Sequence, residues 1–217
     1  VSGPGFVHHE SRDTEQTIEY LHTDIAGRPL SLAYKITNRD PAGRYSIEKH
    51  VFTDPDQRTL MQRVIFTAHV EGIRAHLVTN AHVANTGTND LAWAEGNIAY
   101  AQEGDAALAL IGPEQSRAGV GFVGVSDIVT DVADGTQDWH YLTTGSQGGN
   151  VSLSHSMALP AGESQTWDFA LGFGADAKAA RASAEASLNR GYRQVLAHYN
   201  GEGEAIGWED YLTQLGP

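Results

Sequence analysis

Turn-forming residues recur along the first 175 positions at intervals too short for long helices. This spacing constrains the fold more than any other feature. Pro41-Ala42-Gly43, Asp54-Pro55-Asp56, Glu71-Gly72, Asn85-Thr86-Gly87, Glu95-Gly96-Asn97, Gly148-Gly149-Asn150 and Pro160-Ala161-Gly162 carry the residues that tight turns need. The runs between them alternate in polarity or are rich in β-branched and aromatic residues. They are Leu30–Thr37, Tyr45–Phe52, Gln62–Val70, Ala75–His82, Asn97–Ala101, Ala106–Ile111, Trp139–Thr143, Val151–Leu159 and Gln165–Gly172. Short strands at this spacing predict an all-β, antiparallel sandwich or barrel over residues 1–175, with no three-turn helix inside it.

From Asp176 the period changes. Asp176–Tyr199 is Ala-rich, and Leu188, Tyr192, Val195 and Tyr199 fall on one helical stripe. Asp176 is placed as an N-cap and Asn200-Gly201 as a stop, with Gly191 inside the helix at a cost of ~1 kcal/mol. A linker rich in Gly and Glu, Asn200–Glu204, leads to a second stripe of Trp208, Tyr211, Leu212 and Leu215. Residues 176–217 therefore read as a C-terminal helical connector. The first stripe is expected to pack back on the β body. The second has little local surface to cover, so Tyr192, Tyr199, Trp208, Tyr211, Leu212 and Leu215 are candidates for an interface with another domain.

Charge narrows the partners. The 217 residues carry 14 Lys and Arg against 27 Asp and Glu, a net charge of −13. That excludes a phosphate-binding face for nucleic acid and docking on anionic membranes. No apolar run approaches the ~20 residues of a membrane-spanning helix. The absence of cysteine removes disulfides, thiolate metal sites and cysteine nucleophiles. Starting at Val1 without Met or a leader pattern, the chain reads as a processed form, a fragment or a separate subunit.

Several motifs compete for a chemical role. Gly119-Val-Gly-Phe-Val-Gly124 matches a dinucleotide fingerprint, but that mechanism needs a helix next, and Val125–Val132 reads as β-like. A glycine-rich strand or bulge is the expectation. His76 and His82 fall on one face of an expected strand, ~20 Å apart and too far for one ion. His69 lies across a turn on the opposite face, and His8-His9 lies near the start. No catalytic or metal-ligating set emerges, and no cofactor is called for. Asp127, Asp131, Asp134 and Asp138 cluster in a loop without EF-hand spacing, leaving a structural calcium as the one metal to consider. Neither a paired acid constellation nor a G-x-S-x-G elbow appears. Trp93, Trp139 and Trp167 are candidates for sugar stacking or for core packing. Asn150-Val151-Ser152 is a formal glycosylation sequon.

A wider resemblance rests on ordered stretches: Glu10-Ser-Arg-Asp-Thr-Glu15, Ile18-Glu-Tyr-Leu21, Tyr34-Lys-Ile-Thr-Asn-Arg-Asp40, Gly43-Arg-Tyr-Ser-Ile-Glu-Lys49 and Thr53-Asp-Pro55. Gly121-Phe-Val-Gly-Val-Ser-Asp127, Gly149-Asn-Val151 and Ala170-Leu-Gly-Phe-Gly174 continue it. In this order they resemble the N-terminal domain of bacterial glucoamylases and glucodextranases, glycoside hydrolase family 15. Trp208-Glu-Asp-Tyr-Leu-Thr-Gln-Leu-Gly-Pro217 resembles the segment entering that family's catalytic domain.

The resemblance implies a large antiparallel supersandwich, like that of galactose mutarotases, then a linker and an (α/α)6 catalytic barrel. The family's catalytic glutamates belong to that barrel, so no catalytic residue carries over. It also implies a secreted or periplasmic enzyme acting on starch, maltooligosaccharides or dextran. The likeness begins partway into the family domain, as though opening strands were missing, and Ile128-Val129 stands where the family often has Gly-Trp. A non-catalytic accessory domain is the leading expectation. A stand-alone carbohydrate-binding module needs exposed coplanar aromatics, and a mutarotase-type epimerase needs a His and a carboxylate meeting in one cleft.

Overall fold

A computed structural model describes residues 1–215, so Gly216 and Pro217, the end of the expected connector, lie outside the described residues. The strands run β1 Ser2–Gly3, β2 Phe6–Val7, β3 Glu15–Tyr20, β4 Tyr34–Arg39, β5 Tyr45–Thr53, β6 Thr59–Ala68 and β7 Ile73–Asn80. They continue with β8 Leu91–Glu95, β9 Ile98–Glu103, β10 Ala106–Ile111, β11 Arg117–Phe122, β12 Val151–Leu159 and β13 Ser164–Gly174. Single-turn helices α1 (Glu10–Asp13) and α2 (Ile128–Asp131) interrupt them, and α3 (Ala177–Arg190), α4 (Tyr192–Asn200) and α5 (Trp208–Gln214) follow. The body is mostly β, as expected, and its strand pairs are antiparallel.

Two sheets face each other. The larger has the order β3-β4-β5-β6-β13-β10-β9-β8, the smaller β11-β12-β7-β1-β2. Between them Phe66, Trp167, Phe169, Met157 and Leu159 form one core cluster. Leu108, Leu110, Val120, Val151 and Leu153 form a second. The outer face of the larger sheet is covered as well: Phe52, Met61, Tyr100, Ile111 and Ala170 pack under Ala180, Ala184 and Val195 of the helices. Strands buried on both faces lose their polar alternation. That is why β10 is apolar throughout.

The structure corrects several expectations. Val125–Val132 is not extended: it turns and then forms α2, because Asp127 accepts a hydrogen bond from the Thr130 amide as an N-cap. Trp139–Thr143 is not a strand: an isolated Trp93–Thr143 bridge and the Ala94 amide's hydrogen bond to the Leu142 carbonyl tie it to β8. His82 lies beyond β7 in left-handed backbone, so His76 and His82 share no strand. The helix expected over Asp176–Tyr199 is two helices, broken at Gly191, whose φ of 85° and ψ of 150° no helix accommodates.

Candidate interdomain interface

The connector is fixed by close backbone approach. Asp176 caps α3 through the Ala179 amide at 2.7 Å. Gly172 and Gly174 lie directly beneath the helix, where a Cβ on Gly172 would sit 2.1 Å from the Ala180 carbonyl oxygen. Only glycine allows this contact, and Ala180 and Ala184 are fully buried against it. The break at Gly191 redirects the chain without losing the stripe: Leu188, Tyr192 and Tyr199 pack against the same core that buries Val195.

A polar network binds the connector to the β5–β6 turn. Buried Asp54 accepts from Ser187 Oγ at 2.7 Å and from Arg190 at 3.2 Å. Asp56 accepts from the same guanidinium at 2.5 Å and lies 2.8 Å from His198 Nδ1. Nearby, Arg63 makes two 2.7 Å hydrogen bonds to Asp168, and its guanidinium sits 3.7 Å from the Tyr192 ring centroid. The Tyr192 hydroxyl lies 2.6 Å from His50 Nδ1, and burial raises its pKa above the ordinary range.

Helix α5 crosses back tightly. Gly201 and Gly207 meet so closely that a Cβ on Gly207 would sit 2.3 Å from the Gly201 nitrogen. The Asp210 carboxylate accepts from the Gly207 amide at 2.9 Å. The segment expected to be a flexible linker is thus a compact glycine crossing. Trp208 packs on Tyr199 with centroids 6.2 Å apart, and Glu209 lies 3.1 Å from His22 Nε2. A surface hollow of about 360 Å³ opens between Thr53, Pro55, Tyr199, Trp208 and Tyr211.

The six candidate residues therefore divide. Tyr192 packs inward. Tyr199, Trp208 and Leu212 are half-buried, the first two lining the hollow. Tyr211 and Leu215 are exposed, with exposed Ile206 next to the helix.

The remaining motifs fall at separate places on the body. Gly121 is required because a Cβ there would sit 2.1 Å from the Ser126 carbonyl, so the glycine-rich run is a strand folded into a turn. Asp127 and Asp131 hold loop amides, and no cluster of three metal-ligating side chains exists among the described residues. Trp167 is buried in the core, Trp93 stacks on Tyr100 at 5.1 Å, and Trp139 is exposed. Val151 and Ser152 of the sequon are buried in β12.

A cavity of about 350 Å³ lies between the sheets, bordered by His8, Glu10, Lys49, Phe66, His76 and Met157. Several of its polar groups are already paired. Glu10 is in an ion pair with Lys49, and the two ring nitrogens of His76 lie 2.9 Å from Ser2 Oγ and 2.8 Å from Ser156 Oγ. Burial pulls the His76 pKa down to about 3, so it is neutral near pH 7.

Comparison with known proteins decides the family. The family described as "Glucodextranase, domain N" matches residues 1–213. The chain belongs to that family. A glucoamylase of Clostridium sp. (strain G0005) is 28% identical over 229 residues, 99% of this chain and 30% of the relative. A crystal structure of a bacterial glucoamylase complexed with acarbose superposes with a TM-score of 0.81 and 26% identity, over 96% of this chain and 30% of that one. This glucodextranase N domain thus spans about 30% of the length of the relatives it matches.

The connector's periodicity and its aromatic stripes are visible in the sequence. The Asp54–Ser187–Arg190 network is not, since Asp54-Pro55-Asp56 carries only a turn signal and its partners lie more than 130 positions away.

Proposed function

We propose that this glucodextranase N domain is the non-catalytic accessory part of a glucoamylase-type α-glucan hydrolase, acting on starch, maltooligosaccharides or dextran. It seats on the (α/α)6 catalytic barrel of the same enzyme through α5. The observation that carries this reading is the exposed Tyr211–Leu215 side of α5 beside an aromatic hollow, on a helix anchored to the body at its first turn through Trp208 and Glu209. Burying such side chains is worth roughly 1.5–3 kcal/mol each. The relatives supply room for the partner, because about 70% of their length lies outside the match (100% less the 30% covered). Within the domain, the Glu10 carboxylate and the His76 imidazole bordering the inter-sheet cavity are already paired, which argues against these two serving as a mutarotase-type acid–base pair. By its family resemblance, the enzyme acts outside the cytoplasm as a secreted or periplasmic protein.

The test is turnover. The purified 217-residue chain is incubated with maltooligosaccharides and with dextran, and glucose release is followed. Release no higher than the blank is expected. Turnover that disappears when Glu10 is replaced by Gln would overturn the accessory reading.

A further inference from the structure

We propose that Trp139 and Tyr141 form a surface binding platform for an α-1,4-linked glucan on the domain itself. Trp139 is 41% exposed, Tyr141 46% and the following Leu142 52%, which is unusual for three large apolar side chains within four positions. The segment carrying them is not loose. Buried Asp131 accepts the Asp138 and Trp139 amides at 3.0 and 2.9 Å. The Tyr141 carbonyl accepts from Val120 at 3.0 Å, and the Leu142 carbonyl accepts from Ala94 at 2.9 Å. His140 Nε2 lies 2.7 Å from the Ala118 carbonyl. The loop is therefore tied to both sheets, through β11 and β8, so the backbone that carries the aromatic pair needs little ordering on binding.

The surroundings specify the ligand. A pyranose presents an apolar C–H face for stacking and hydroxyls at its rim, which suits aromatic rings interleaved with polar groups. Arg117, Gln137 and Asp131 border a hollow of about 20 Å³ next to the two rings, the size of one hydroxyl group. Asp131 Oδ2 is buried and makes no hydrogen bond within the protein. With a net charge of −13, the domain favours a neutral polymer over an anionic one. The rings are 6.3 Å apart and tilted by 50°, so they suit the curved surface of an α-1,4-linked chain and not a flat, ribbon-like polysaccharide.

The platform is separate from α5. The larger sheet places β8 five strand positions from β5, about 25 Å away. The choice of an α-glucan rests on the hydrolase reading above, whereas the existence of a platform does not. Turnover by the isolated chain would overturn that reading alone.

Affinity electrophoresis of the 217-residue chain through gels containing soluble starch, dextran or xylan tests the proposal. Starch should retard the chain. Trp139→Ala and Tyr141→Ala should each weaken apparent affinity roughly tenfold, the loss expected for one stacked ring. Their melting temperatures should stay at the parent value, and Ile25→Ala, at another exposed site, should be retarded normally. An unretarded parent chain, or retardation unchanged in both aromatic variants, overturns the site. Retardation by dextran or xylan alone overturns the linkage assignment. In the full-length enzyme, Trp139→Ala should reduce adsorption to starch granules and leave kcat on maltotriose unchanged. A fall in that kcat would make Trp139 an interdomain contact instead, and overturns the proposal.

Discussion

Replacing Asp54 by Ala removes one of the residues through which the sandwich holds its helical connector. The structure sets the magnitude in three parts. Ser187 Oγ loses a 2.7 Å hydrogen bond to a buried carboxylate, worth roughly 1.5–3 kcal/mol. That loss falls towards the lower end because the hydroxyl also reaches the Ser183 carbonyl at 3.2 Å. Arg190 is partly solvated and keeps Asp56, so its share is below about 1 kcal/mol. The Asp56 amide loses a 2.9 Å bond to Asp54 that shapes the turn, about 1 kcal/mol more. The sum is about 3 kcal/mol, which lowers the melting temperature of a chain this long by roughly 6–12 °C. Differential scanning calorimetry of Asp54→Ala, Ser187→Ala and the double variant provides the assay. The double variant should be less destabilised than the sum of the two singles, since both remove the same hydrogen bond. A drop under about 2 °C for Asp54→Ala, or strict additivity in the cycle, would refute the reasoning.

Two further outcomes follow from the packing and from the buried histidines. Gly172→Ala places a methyl group against the backbone of α3, where the Ala180 carbonyl oxygen would be 2.1 Å away, so helix and sheet must separate by about 1 Å. A loss of about 3 kcal/mol or more is expected in urea titration, whereas Gly96→Ala, with open space around it, should lose less. Acid should destabilise the domain from near neutrality. Burial lowers the His155 pKa to about 4 and that of His76 to about 3, against 6.5 for a free imidazole. Between pH 6.5 and about 4 the unfolded chain therefore binds more protons than the folded one, and stability falls as pH falls. The His155 gap corresponds to roughly 3 kcal/mol by pH 4. The Arg44 hydrogen bond that holds the Asp40 carboxyl well below its usual range adds a further loss below about pH 4. Thermal melts between pH 7.5 and 4.5 should show a steady decline, and a flat profile would contradict the buried neutral imidazoles.

How much of this can be read in the chain depends on where the forces act. Strands β10 and β12 match their expected ranges because turns delimit them and their residues prefer extended backbone. Strand β3, Glu-Gln-Thr-Ile-Glu-Tyr, has no such signal: it is an edge strand with every residue exposed, held by pairing to β4 alone. The α3–α4 break is hidden for a different reason. The apolar stripe is continuous across Gly191, so periodicity reports one helix while the backbone dihedrals of that glycine make two. The interface residues show the same limit. Helical spacing places Tyr192 and Tyr211 on comparable stripes, but Phe52 and His50, on a strand some 140 positions earlier, draw Tyr192 inward and leave Tyr211 outside. The exposed Trp139 pair is likewise invisible locally, because its exposure follows from how β8 and β11 converge.

The central claim is that α5 docks this domain on a catalytic barrel. Hydrogen–deuterium exchange of residues 207–215 tests it most directly, comparing the 217-residue chain with the same segment in the full-length enzyme. The account predicts rapid exchange of the Tyr211–Leu215 amides in the isolated chain and strong protection in the full enzyme, with Tyr211→Ala restoring rapid exchange. Equal protection in both settings would contradict it.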